Sequence, residues 1–122
     1  MSNKTAAIAF LNLVIAGQIR QAYDQFIAPD FRHHNPYFPG DRESLLLAME
    51  ENHTQAPNKI FEIQRVIEEG DLVVVHSRLV IKSDQPEIAT VHIFRFQNHL
   101  IVEEWDFGQP APARSPNHNG MF

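Results

Sequence analysis

The chain has 122 residues, 43% of them hydrophobic, which predicts a single domain over residues 1–122 with its own core. A formal net charge of −5 without a Lys/Arg cluster argues against a nucleic-acid partner, because phosphate neutralisation requires a concentrated basic surface. The absence of cysteine excludes disulfides, thiolate metal sites and a cysteine nucleophile. No apolar run approaches the roughly 20 residues that cross a bilayer, and the polar start lacks a signal-peptide pattern. We therefore expect a cytoplasmic protein without a membrane partner.

Three helices are predicted in the first half of the chain. Over residues 4–15 the apolar side chains recur at i, i+3, i+4 and i+7, which is the spacing of an amphipathic helix. A second helix is expected over about 18–27, because Pro29 disfavours helical conformation in the residue before it. A third helix is expected from its cap at Asp41 to about residue 56.

The segment at residues 30–40, between the second and third predicted helices, is interpreted as a loop. It contains two prolines and a mixture of aromatic and hydrogen-bonding side chains, including His34, Asn35 and Tyr37. Loops of this composition often line binding sites. The segment is therefore a candidate wall of a pocket.

Four strands are predicted in the second half of the chain. Residues 59–68 and 72–82 alternate apolar and polar side chains around a turn, and a second hairpin begins near Glu87. Helices followed by consecutive antiparallel strands predict an α+β fold, with the helices covering one side of a strongly bent sheet. The proline-rich residues 109–122 are expected to form an extended C-terminal tail.

The second hairpin, over residues 91–107, carries the candidate chemistry. Alternate side chains of a strand point to opposite faces, so Glu104 and Asp106 share one face. Their neighbours in the hairpin are largely apolar, which is unusual for a face that looks at water. A sheet curved around a cavity fits this pattern better.

The register of this hairpin decides which side chains meet. With a plain two-residue turn, His92 lies opposite Trp105. One extra residue in a bulged turn places His92 opposite Asp106 and Phe94 opposite Glu104. We favour the bulged register, because it gathers a histidine and two carboxylates suited to proton transfer near neutral pH.

The predicted order of elements and several motifs resemble the SnoaL-like polyketide-cyclase branch of the NTF2-like superfamily, over nearly the whole chain. The motifs are His34-Asn35-Pro36, Val74-Val75-His76-Ser77, Ile93-Phe94-Arg95 and Ile101-Val102-Glu103-Glu104-Trp105-Asp106. The resemblance implies a cone-shaped, ketosteroid isomerase-like barrel with a pocket between the concave face of the sheet and the helices. It also implies a homodimer through the outer face, and acid/base chemistry on an enolisable carbonyl compound without metal or organic cofactor.

Four residues match functional positions of that family: Asp106 after the tryptophan, Asn35 of the His-Asn-Pro loop, and the histidines His34 and His76. Two positions depart from it. His92 stands where many relatives have aspartate, and Glu104 stands where they have histidine. The acid and the base look exchanged between strands, so the resemblance does not transfer which group takes the proton.

The predicted site residues fall into two groups, catalytic and substrate-binding. The predicted catalytic residues are Asp106, His92 and Glu104. The predicted substrate-binding residues are His34, Asn35, His76, Tyr37 and Phe94. Simpler interpretations stay open: Asp106 as a carboxylate that only hydrogen-bonds, His76 as a buried neutral histidine, and Asn35 as a turn former before proline.

The histidines do not predict a metal site. The adjacent pairs His33-His34 and Glu103-Glu104 lack the i, i+4 spacing of a zinc-binding helix. The functional hypothesis is therefore an aldol-type cyclase or isomerase that acts on a small molecule. The alternative is a non-catalytic small-molecule-binding or dimerisation module, since one fold hosts many functions.

Overall fold

The computed structural model describes residues 1–122 and contains three helices and five strands. The helices are α1 (Asn3–Ile15), α2 (Ile19–Phe26) and α3 (Arg42–Gln55). The strands are β1 (Ile27–His33), β2 (Ile60–Glu69), β3 (Leu72–Val80), β4 (Ile88–Gln97) and β5 (Leu100–Pro110). No helix is long and apolar enough to cross a membrane.

The helices begin and end where local chemistry places their boundaries. Ser2 caps α1 by accepting a hydrogen bond from the Thr5 backbone N–H (3.1 Å). Asp41 caps α3 by accepting a hydrogen bond from the Ser44 backbone N–H (2.9 Å). Hydrogen bonding to Ser44 lowers the pKa of the Asp41 carboxyl. Gly17 follows α1 at a φ of +83°. The three predicted helices are confirmed.

The five strands form one curved, mixed sheet in the order β1-β5-β4-β3-β2. Strands β2 to β5 pair antiparallel as predicted, but β1 was missed and pairs parallel to β5 along one edge. Pro29 explains why this segment looked like a loop. It lacks the N–H of a central strand, yet an edge strand can accommodate a proline. The α+β fold is confirmed, with this correction to the antiparallel sheet.

The core lies between the inner face of the sheet and the helices α1 and α2. Its sheet side consists of Val73, Val75, Phe94, Phe96 and Ile101. Phe10 of α1 meets Phe94 edge to face, with ring centroids 5.8 Å apart. Burial of these apolar side chains is the main stabilising contribution and fixes the helices over the inner face.

A one-residue bulge interrupts the pairing of β4 with β5. The hairpin turn is a tight two-residue turn at residues 98–99, both with positive φ (52° and 67°). The strands pair regularly from this turn to Phe96 and Ile101, and the register then skips Val102. The extra residue therefore lies in the strand rather than in the turn.

This bulge sets the face on which the carboxylates lie. After it, His92 pairs with Asp106 and Phe94 pairs with Glu104, which confirms the bulged register. Because side chains alternate along a strand, a register without the bulge would turn Trp105 inward and both carboxylates outward. The bulge is thus a structural requirement for an acidic inner face.

The C-terminal residues 111–122 follow β5 without regular secondary structure, so the strand continues two residues into the predicted tail. The Ala111 N–H donates a hydrogen bond to the Glu87 carbonyl (2.8 Å). The terminal Phe122 stacks on His76, with ring centroids 5.9 Å apart. The tail therefore returns to the outer face of the sheet, the face turned away from the helices.

Candidate active site

A cavity of about 70 Å³ lies between the helices and the inner face of the sheet. One part of its wall is apolar and consists of Phe10, Leu11, Val14, Leu45 and Met49. The other part is polar and consists of Tyr23, Asn35, His92, Glu104 and Asp106. An apolar pocket with a few converging polar groups is the usual form of a small-molecule site.

The parallel pairing of β1 with β5 places Asn35 in this cavity. Arg32 pairs with Glu103 and His33 pairs with Glu104, while the His34 N–H donates to the Glu104 carbonyl (3.0 Å). Side chains at the end of β1 therefore alternate between the inner and outer faces in step with those of β5. Asn35, two residues after His33, lies on the inner side.

Asn35 holds Asp106 in a defined orientation. The Asn35 Nδ2 donates a hydrogen bond to Asp106 Oδ2 (3.1 Å). The Asn35 Oδ1 accepts one from the Tyr37 backbone N–H (3.0 Å), which leaves only the amide NH₂ to face the carboxylate. The half-buried Asp106 is thus oriented without being neutralised by a cation.

Glu104 is held as a neutral acid. Its side chain is buried, and burial raises its pKa to about 8, with a further contribution from the negative charge of Asp106. At neutral pH it therefore carries a proton that it can donate. The two carboxyl groups on β5 thus have different roles, with Glu104 as a proton donor and Asp106 as a proton acceptor.

His92 lies opposite Asp106 and is kept uncharged. Burial lowers its pKa, an effect that the charge of Asp106 partly offsets. Its ring stacks on Phe94 (centroids 5.8 Å apart, 15° between planes) and meets the edge of Phe61 at 6.2 Å. The His92 Nδ1 is buried without a hydrogen-bond partner. A neutral imidazole with an unbonded nitrogen is suited to form a hydrogen bond with the substrate or to relay a proton, rather than to carry a positive charge.

Tyr23 is a cavity residue that the sequence did not single out. It belongs to the buried face of α2 and lines the cavity, and burial followed by the charge of Glu104 raises its pKa. Its hydroxyl therefore stays protonated as a hydrogen-bond donor. The signal available in the sequence was a tyrosine among otherwise apolar positions of a helix, since a buried hydroxyl needs a partner.

Four residues predicted to bind substrate do not line this cavity. His34 stacks on Trp105 on the outer face, with centroids 5.0 Å apart, and His76 hydrogen-bonds Arg65 there (Nδ1 to NH1, 2.9 Å). The remaining two are Tyr37, which is 87% exposed, and Phe94, which is fully buried beneath His92. Strand alternation places the side chains of the two histidines on the outer face, whereas the Phe94 ring packs in the hydrophobic core.

Glu103, on the outer face, is the centre of an ion-pair cluster. It accepts hydrogen bonds from Arg32 (3.0 and 3.3 Å), from Arg95 (3.0 Å) and from His34 Nε2 (2.6 Å). The hydrogen bonds from Arg32 and His34 are the main causes that lower its pKa to about 2. The neighbouring glutamates Glu103 and Glu104 thus have opposite shifts in pKa, because one has cations and the other has an apolar cavity wall.

We expect Glu103→Gln to destabilise the fold by about 2 kcal/mol near pH 7. The substitution leaves a buried, uncharged glutamine amide, and Arg32 and Arg95 lose the carboxylate that balances their charges. The lowered pKa of Glu103 adds stability above pH 4.5, the ordinary glutamate value, that is lost as the pH falls towards 2. Urea unfolding measures the effect. Glu50→Gln is the matched control, since it breaks the exposed Arg20–Glu50 pair (2.9 Å) and should cost much less. Equal costs for both variants would contradict the prediction.

The described residues contain no group of three or more His, Cys, Asp or Glu side chains that could hold a metal ion. The acidic residues of the cavity instead face apolar side chains and a neutral imidazole.

A family model described as a SnoaL-like domain matches residues 7–104 of this chain. The chain belongs to the SnoaL-like family. The match includes Asn35, His92 and Glu104, whereas Asp106 lies just beyond its end. No curated protein matches the sequence.

Solved structures share this SnoaL-like fold at low identity. IdmH, a candidate polyketide cyclase from Streptomyces antibioticus, is 20% identical with a TM-score of 0.72, over 88% of this chain and 92% of its own. A candidate ketosteroid isomerase from Kribbella flavida is 17% identical with a TM-score of 0.73, over 94% and 83%. An NTF2-like protein of unknown function from Burkholderia xenovorans is 22% identical with a TM-score of 0.74, over 93% and 87%. These likenesses establish the fold of this SnoaL-like domain.

Proposed function

We propose that the protein catalyses proton transfer at the carbon next to a carbonyl group, as an aldol-type cyclase or an isomerase without a cofactor. The observation that carries the proposal is the pairing of an oriented carboxylate, Asp106, with a neutral acid, Glu104, on one wall of a partly apolar cavity. A carbon acid requires this combination, because a base must take the proton while a donor stabilises the charge that develops on oxygen.

In the proposed reaction, the Asp106 carboxylate removes the α-proton of the bound carbonyl compound. The electron pair of the broken C–H bond forms the C=C bond of an enolate, and the negative charge moves to the carbonyl oxygen. The Glu104 carboxyl donates a hydrogen bond to that oxygen, and the Tyr23 hydroxyl is a second donor on the cavity wall for charge that is delocalised onto a neighbouring carbonyl oxygen. The proton on Asp106 then returns to carbon. In the aldol alternative the enolate carbon attacks a second carbonyl group to form a ring, the C=O π bond of that group breaks, and the resulting alkoxide takes the proton from Asp106, which regenerates the carboxylate.

The spacing of the two acids supports this division of roles. Residues two apart on one face of a strand are separated by about 7 Å, which allows one carboxyl at the α-carbon and the other at the oxygen. Neutral His92 lies beside Asp106 and can relay the proton without adding a charge. The apolar wall excludes water, which strengthens each of these interactions.

Deuterium incorporation from heavy water tests the proposal. Acetylacetone and a panel of enolisable cyclic ketones are incubated with the protein, and the loss of α-protons is followed by proton NMR. Exchange above the uncatalysed rate is expected. His76→Gln serves as a control whose side chain lies on the outer face, and it should exchange like the wild type. Exchange at the uncatalysed rate across the panel would reject carbon-acid catalysis of these compounds.

We expect Asn35→Ala to slow α-proton exchange by about 10- to 100-fold while leaving substrate affinity within a few-fold, since it removes the group that orients Asp106. The comparison of kcat with KM separates this loss of orientation from a loss of binding. Asn35→Asp provides a second variant, because it keeps the shape but places a like charge beside Asp106. Wild-type kcat in Asn35→Ala would contradict an orienting role.

A non-catalytic small-molecule-binding module is the second candidate function. The resemblance favours it at one point, since His92 and Glu104 are exchanged relative to many relatives of this family. A binding protein needs the shape of the cavity and its donors but no base. Saturable binding of a carbonyl compound without exchange of its α-protons would support this candidate over the enzyme.

We also propose a cytoplasmic homodimer that associates through the outer face of the sheet. Ile67 and Phe107 are each 61% exposed there, and the ring of Trp105 is only partly covered by His34. Exposed apolar side chains on one face of a sheet favour an interface between copies of a chain. Sedimentation equilibrium of the wild type and of Phe107→Glu tests this, with a dimer expected only for the wild type.

A further inference from the structure

The charges around the cavity are of one sign. Asp106, Glu104 and His92 are its only titratable lining groups besides Tyr23, and no arginine or lysine lines it. Since burial keeps His92 uncharged and Glu104 protonated at neutral pH, the net charge of the wall is that of the Asp106 carboxylate. An anion that enters the cavity therefore meets a carboxylate and no compensating cation.

The cation that contacts the cavity residue Tyr23 has partners outside the cavity. Arg42 lies over the Tyr23 ring (5.6 Å to its centroid) and donates a hydrogen bond to the Tyr23 backbone carbonyl (3.2 Å). It also lies 3.9 Å from Asp24 and does not line the cavity. The arginines Arg32 and Arg95 belong to the outer face, where they bind Glu103. None of these three arginines lines the cavity.

The volume of the cavity limits what can enter. A water molecule needs about 10 to 15 Å³ of cavity volume, so the observed 70 Å³ accommodates roughly six water-sized groups. Sites for drug-sized ligands are several-fold larger, at about 300 Å³ or more. Only a compact molecule, or the compact reacting end of a larger one, fits between Met49 and the carboxyl groups.

We infer that this site selects an uncharged, compact dicarbonyl group, such as a β-diketone or β-keto ester, and rejects the corresponding keto acid. The inference rests on the proposed function for the reacting groups, and it adds the charge and size of the substrate. Two carbonyl oxygens match the polar wall, since one can accept from Glu104 and the other from Tyr23. A keto acid would instead bring a carboxylate next to Asp106, where like charges a few ångströms apart repel strongly.

Three probes of nearly equal shape test the inference at pH 7. Acetylacetone and acetoacetate differ in that a methyl group is replaced by a carboxylate oxygen, and methyl acetoacetate restores neutrality while keeping the ester oxygen. Binding is measured by NMR of protein labelled at the methionine methyl groups. The Met49 methyl reports entry, because it lines the cavity, whereas Met1 is 78% exposed outside it and is the internal control.

The neutral probes are expected to shift the Met49 signal with similar dissociation constants, and acetoacetate to bind about 100-fold more weakly. Asp106→Asn should reduce this difference to a few-fold, because it removes the charge and keeps the shape. Dipivaloylmethane, a neutral diketone with bulky ends, should leave Met49 unshifted. Circular dichroism of the variant verifies that it is folded.

Equal or tighter binding of acetoacetate would overturn the inference, as would entry of dipivaloylmethane. Failure of both neutral probes to shift Met49 would also overturn it, since a compact neutral dicarbonyl is what the inference requires. Exchange of α-protons is recorded in the same samples and tests the proposed function separately. Selective binding without exchange would reject the proposed catalysis and leave the selectivity for neutral ligands in place.

Discussion

Replacement of Asp106 by asparagine is expected to lower α-proton exchange by about 1,000-fold or more at pH 7, because an amide cannot accept the proton. The substitution preserves shape, and the amide of Asn35 can reorient to bond the new side chain. Folding should therefore be retained, which thermal unfolding checks. Asp84→Asn is the matched control, since it makes the same chemical change on an exposed turn and should exchange at the wild-type rate.

The alternatives for the base are distinguished by the same assay. Exchange by Asp106→Asn at the wild-type rate would contradict its role as the base and leave His92 or Glu104 as the acceptor. His92→Asn then decides between the two, because His92 is the only imidazole in the cavity. If Asp106 is the base, loss of the His92 ring should slow exchange less than loss of the Asp106 carboxylate.

The sequence carries a clear signal for the helices and for the second hairpin. The apolar spacing over residues 4–15 is a local property, and a strand places Glu104 and Asp106 on one face whatever the partner strand is. The register needed one further argument, namely that a bulge brings His92 opposite Asp106. The bulge does bring them together, but it lies within β5 at Val102 rather than in the turn where it was expected.

The sequence gives no local signal for the parallel strand β1. Its pairing with β5 joins residues 71 positions apart, such as His33 and Glu104. When residues 30–40 are treated as a loop, His34 and Asn35 are both free to point into the pocket. The strand instead imposes alternation, which sends His34 to Trp105 and Asn35 inward. Long-range pairing, rather than residue type, is what separates the true lining residues from the rest.

Glu104→Gln is expected to raise stability above neutral pH, although it removes an ionisable group from the candidate site. Folding raises the pKa of Glu104 from 4.5 to about 8, so the folded protein keeps a proton that the unfolded chain loses between these values. Stability therefore falls as the pH rises through this window, by up to about 1.4 kcal/mol per pH unit. Glutamine cannot ionise, so the variant lacks this contribution.

The difference in unfolding free energy between Glu104→Gln and wild type isolates this group from others, such as His92, that titrate in both proteins. The variant should be close to wild type at pH 5 and more stable by about 3 kcal/mol at pH 8, as measured by urea unfolding across that range. Glu103→Gln is the matched control on the opposite face. Because the pKa of Glu103 is lowered to about 2, ionisation of the Glu103 carboxyl itself contributes almost no slope to its difference from wild type between pH 5 and 8. A flat difference for Glu104→Gln as well would mean that Glu104 titrates normally, and the neutral donor on which the proposed chemistry depends would be absent.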